Sequence, residues 1–93
     1  MNCRTNLPRL LRELQRAIPH GQWHVKQERP WFSLTFSGVQ LTLGYTSAHV
    51  RGAQEVAAIL EAHEFSLPGQ IVADIAVERA DGGLVVVLLV LEG

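Results

Sequence analysis

Residues 84–91 read Leu84-Val85-Val86-Val87-Leu88-Leu89-Val90-Leu91, eight apolar side chains without a break. The β-branched content and the length favour a strand over a helix. A strand with one wet face alternates apolar and polar residues, because successive side chains point to opposite sides. This stretch does not alternate, so both of its faces call for cover.

Working upstream, Asp81-Gly82-Gly83 marks a tight turn, and Gln70 to Arg79 supplies the strand before it. Asp-Gly is a strong hairpin signal, which predicts positive φ at both central turn residues. Strict alternation puts Ile71, Ala73, Ile75 and Val77 on one face, and Val72, Asp74, Ala76 and Glu78 on the other. Asp74 then stands among apolar neighbours. Burial there raises a carboxyl pKa, which is one route to a catalytic acid. The plainer reading is a charge that deters strand pairing at a sheet edge.

Pro68-Gly69 breaks the chain ahead of this hairpin. Before the break, Ala53, Val56, Ala57, Ile59 and Leu60 form the apolar stripe of a helix over roughly 48–63, started by Ser47 or, later, by Gly52. Further upstream the pattern predicts three strands. With Ser37-Gly38 as a turn, Phe36, Leu34 and Phe32 oppose Val39, Leu41 and Leu43 on one apolar face. With a turn at Arg29-Pro30, Trp23 and Val25 join that face, while His24, Lys26, Glu28, Trp31, Gln40 and Thr42 take the other. Proline fits the second central position of a common turn poorly, so the loop over 28–31 is either two residues or longer. At the start, Leu7, Leu10, Leu11, Leu14 and Ile18 recur at helical spacing. Thr5 or Asn6 suits the N-cap, and Pro19 and Gly21 end the helix.

The expected architecture is thus a single α+β domain over 1–93 with α-β-β-β-α-β-β order. Its antiparallel five-stranded sheet carries two helices packed on one face. Two helices on one face leave the other face of residues 84–91 bare. Either loops and long neighbouring side chains shield it, or a second protein surface covers it. The second reading makes Val85, Val87, Leu89 and Leu91, with Val72, Asp74 and Trp31, a partner-binding surface. The partner is another copy of the chain, giving a homodimer, or a different protein.

Charge is uneven along the chain. Residues 1–30 hold Arg4, Arg9, Arg12, Arg16, Lys26 and Arg29 against Glu13 and Glu28, whereas the rest is acidic. Arg9, Arg12 and Arg16 share one helix face, which suits an anionic partner such as nucleic acid or an acidic protein. Glu13 interrupts that face, and the net charge is −1, unlike the broad basic excess of nucleic-acid binders.

His20 and His24 have i, i+4 spacing, but Pro19 and Gly21 oppose a helix there and no further ligand is near, so no metal is expected. No phosphate loop, dinucleotide fingerprint, nucleophile elbow or Cys-x-x-Cys is present, and no cofactor or enzymatic activity is expected. The one cysteine, Cys3, cannot form an internal disulfide. The N-terminal stretch, broken by arginines, lacks a secretory leader pattern, and no run approaches the ~20 apolar residues of a membrane helix. A cytoplasmic protein is expected.

The helix, three strands, helix order resembles that of double-stranded-RNA-binding domains, although Ala48-His49-Val50-Arg51 stands where their lysine cluster lies. The spacing from Leu7 to Leu43 and the two strands after the second helix resemble class I type III secretion chaperones. Those are dimers, and their closing helix has no counterpart here. These resemblances imply RNA binding and protein binding respectively. The leading functional expectation is a non-enzymatic protein-interaction module of adaptor, chaperone or inhibitor type; the alternatives are a nucleic-acid binder using the first helix and a small enzyme built around Asp74.

Overall fold

A computed structural model of the chain describes residues 7–47 and 52–92. Helix α1 (Leu7–Ala17) is followed by strands β1 (Gln22–Phe32) and β2 (Ser37–Thr46), helix α2 (Ala53–Ala62), and strands β3 (Gln70–Ala80) and β4 (Gly83–Glu92). The four strands form one antiparallel sheet in the order β1-β2-β4-β3. The α+β class is as expected. The five-stranded sheet and its α-β-β-β-α-β-β order are not, because the first three predicted strands are two.

The difference lies in one long strand and one turn. Arg29 and Pro30 do not turn: they pair with Gln40 and Val39 inside β1. Proline is tolerated there because β1 is an edge strand, where a missing N–H need not break a ladder. The hairpin turns instead over Ser33–Phe36. Ser33 N–H donates to Phe36 O (2.8 Å), and Ser33 Oγ accepts from the N–H groups of Phe36 (3.0 Å) and Thr35 (3.4 Å). A serine that closes its own turn outcompetes Ser37-Gly38. Phe32, Leu34 and Phe36, expected in the core, are therefore exposed at 67, 105 and 51%. Both family resemblances rested on three strands between the helices and fall with them.

The core fills one face of the sheet. Val39, Leu41, Leu43 and Tyr45 of β2 and Leu84, Val86, Leu88 and Val90 of β4 are all buried there. Leu10 and Leu14 of α1, Ile18 just beyond its end, and Val56 and Leu60 of α2 complete the same cluster, so both helices lie on this face. The stripe predicted for α2 is present, with Ala53, Ala57 and Ile59 partly buried beside Val56 and Leu60. The helix begins after Gly52, the later of the two expected starts. Ser47 donates instead to the carbonyl of His20. The proposed caps Thr5 and Asn6, the cysteine Cys3 and the stretch 48–51 lie outside the described residues.

Each outer strand carries a β-bulge, at Lys26 in β1 and at Ala73 in β3. The second bulge corrects the expected faces of β3. Upstream of it the alternation is inverted, so Val72 joins Ile75 and Val77 on the helix side, and Ile71 joins Asp74, Ala76 and Glu78 on the far side. The β3–β4 turn is at Asp81-Gly82 as expected, but only Gly82 takes a left-handed φ, at +81°.

Chain order and strand order together make the domain two αββ units. Each has a helix, a bulged outer strand and an inner strand, and the two inner strands pair antiparallel at the centre. The pattern has approximate two-fold symmetry about an axis normal to the sheet.

Candidate interaction surface

The face of the sheet away from the helices has no second layer among the described residues. The ladders align it in cross-strand rows, each running from β1 through β2 and β4 to β3. The rows are Trp31–Gly38–Leu91–Ile71, Arg29–Gln40–Leu89–Asp74, Gln27–Thr42–Val87–Ala76 and His24–Gly44–Val85–Glu78. Down the middle runs the outward half of β4: Val85, Val87 and Leu89 are half-buried and Leu91 is 8% exposed. Only glycine fits opposite Leu91, since a Cβ on Gly38 would strike Val90 O and the Leu91 Cα and Cδ2 atoms.

Six of the seven residues expected to bind a partner share this face: Val85, Val87, Leu89, Leu91, Asp74 and Trp31. The seventh, Val72, lies on the helix side because of the bulge at Ala73. Trp31 is partly buried at the β1 edge and Asp74 is exposed at the β3 edge. With Asp74 exposed, the burial on which a catalytic role rested is lacking, while its edge position matches the strand-pairing deterrent.

The two margins of the face carry opposite charge. On β1 stand Arg29, Lys26 and His24. Both the His24 ring and the Lys26 Cε lie over Gly44, which places them on this face although Lys26 is the bulged residue. On β3 stand Asp74 and Glu78. His24 and Lys26 were expected on this face, whereas Arg29 was expected in a turn and instead pairs with Gln40 inside β1. Ile71, 56% exposed, is an apolar addition to this face that was expected on the opposite one; Phe32, Leu34 and Phe36, expected in the core, are exposed at the hairpin end, with Phe32 on the helix side of the sheet beside Pro30. Only the potential of Ser33 to close a turn hinted otherwise.

The arginines of α1 stand apart from this surface. Arg9 donates through Nε to Ser66 O and through an Nη to Ser66 Oγ (3.2 Å), Arg16 lies 3.8 Å from Glu13, and Arg12 is exposed. Glu13 in turn accepts from His63 Nε2 at 2.9 Å and from the Ser66 N–H at 3.4 Å. The hydrogen bond from His63 pulls the Glu13 carboxyl below its usual pKa. Burial opposes that shift, and the Ser66 N–H and the charges of His63 and Arg16 add to it. The cluster ties α1 to the segment after α2. The Ser66 hydroxyl belongs to the same cluster through Arg9.

A shallow depression of about 110 Å³ opens at one end of the face, lined by His24, Lys26, Gly44 and the Asp81–Gly83 turn, among others. Asp74 is not part of it. Among the described residues no three His, Cys, Asp or Glu side chains gather as a metal-binding group, and no helix is long and apolar enough to cross a membrane. No family model, curated protein or solved structure matches this chain.

Proposed function

We propose that the chain is a non-enzymatic protein-interaction module of the cytoplasm that docks a protein onto the open face of its sheet. One observation carries the reading. β4 is apolar on both sides, and its outward half (Val85, Val87, Leu89, Leu91) forms the centre of a face that neither helix covers. A face with an apolar middle and polar margins has the anatomy of a protein interface. A second sheet or an equivalent flat surface packs on such a face at about 10 Å. The cytoplasmic setting rests on the single cysteine.

The test is photo-crosslinking in the cells that make the protein. A benzophenone amino acid replaces Val87 at the centre of the face or, as control, Gln54 on the exposed side of α2. Crosslinked protein adducts from position 87 and not from 54 are expected. Equal yields at the two positions, or none at either, would refute the reading.

A further inference from the structure

Building on the proposed docking role of this face, we infer that its occupant is a second copy of the chain, related by a two-fold axis running parallel to the strands. The argument is charge complementarity on a symmetric frame. The two αββ units make the margins alike in shape, as outer strands of equal length, each with a bulge. Their charges are opposite: Arg29 and Lys26 on β1, Asp74 and Glu78 on β3. A self-complementary two-fold contact needs each patch to meet its complement.

An axis parallel to the strands, placed over the gap between β2 and β4, does this. It lays β1 of each copy across β3 of the other. Arg29 and Asp74 occupy one cross-strand row, so each meets the other's counterpart, twice by symmetry. Glu78 meets the Lys26 end of the opposite margin in the same way. Each β4 then lies over β2 of the other copy, with Leu91 and Val85 above Gly38 and Gly44, and the two β4 strands flank the axis on opposite sheets. Their lateral separation is about one strand spacing of 4.8 Å. An axis across the strands would stack β1 on β1 and set Arg29 and Lys26 against like charges.

Edge-to-edge pairing is opposed by the bulges and by Pro30. Four strands of about ten residues span a face of roughly 19 by 33 Å. That is about 600 Å² per copy in projection, which reaches the lower end of stable interfaces.

The experiment is sedimentation equilibrium of the purified chain and two charge-reversed variants, Arg29→Asp and Asp74→Arg. Both positions are exposed, and circular dichroism confirms that each variant folds. The wild type is expected to sediment at twice its 10.3 kDa. Each variant alone should dimerise at least about tenfold more weakly, because both symmetry-related contacts become repulsive. Mixed in equal amounts, the two variants should dimerise with affinity within about threefold of wild type, since every contact between them is again attractive. A wild type that stays monomeric at about 1 mM overturns the inference. So does a dimer that ignores both substitutions and gains nothing on mixing. The crosslink at position 87 separates this failure from that of the docking role. An adduct with a different protein leaves the role standing and removes the second copy, whereas no adduct removes both.

Discussion

Glu13 shows how a single residue on a polar stripe is recruited into the fold. It lies between Arg9 and Arg16 in sequence, yet it is only 7% exposed and bonded to His63 and Ser66 across the molecule. Its pKa in the folded state is depressed, chiefly by the His63 hydrogen bond. The carboxylate therefore stabilises the fold above the usual carboxylate range, and this contribution is lost as pH falls through the depressed value. Glu13→Gln is expected to lower the urea midpoint at neutral pH, and the gap from wild type should narrow in acid. A gap independent of pH would mean that the charge is not what stabilises. The spacing of Arg9, Glu13 and Arg16 was legible. The partners were not, because Ser66 lies 57 residues beyond Arg9 and no local pattern reports such a contact.

At the scale of elements, the contest between two turns decides which leucines are core. The pattern Phe32-Ser33-Leu34-Thr35-Phe36 alternates as a strand does, and it placed Leu34 opposite Leu41. With the turn closed by Ser33, Leu34 is wholly exposed, and the fully buried Leu41 has Glu28 across the hairpin and Leu88 on its other side. Leu34→Ala should change stability by less than about 0.5 kcal/mol. Leu41→Ala should cost about 2–5 kcal/mol. Denaturant unfolding of both variants checks the pair, and comparable losses would instead favour pairing of Leu34 with Leu41. Elements whose signal is a period, such as α1 with Leu10 and Leu14 or the hairpin at Asp81-Gly82, were readable. Lys26 and Ala73 were not, because a bulge adds one residue to one strand and inverts the faces on one side of it without changing composition.

The whole molecule is longer than it is wide, 39 by 23 by 20 Å, because its strands run to ten or eleven residues. The radius of gyration of 12.9 Å compares with the roughly 12 Å expected for its length. Its two αββ units share no residue pattern, which is why no repeat was visible in the sequence. One unit ends in Gln40, Thr42 and Gly44 on the open face, and the other in the unbroken apolar run of β4. The doubly apolar run was legible in the sequence, since its missing alternation puts apolar side chains on both faces of β4. The charged margins needed the three-dimensional register to be seen.

The central seat of β4 has a further consequence. An uncharged, proline-free run of valine and leucine is the kind of segment that stacks into cross-β fibres. Here both of its edges are occupied, by β2 and by β3, so its main-chain donors and acceptors are unavailable for templating until the sheet opens. Fibril growth should therefore be gated by unfolding: thioflavin T lag times ought to shorten in Leu41→Ala and remain unchanged in Leu34→Ala. Growth equally fast in native and destabilised protein would mean that the sandwiching strands give this segment no protection.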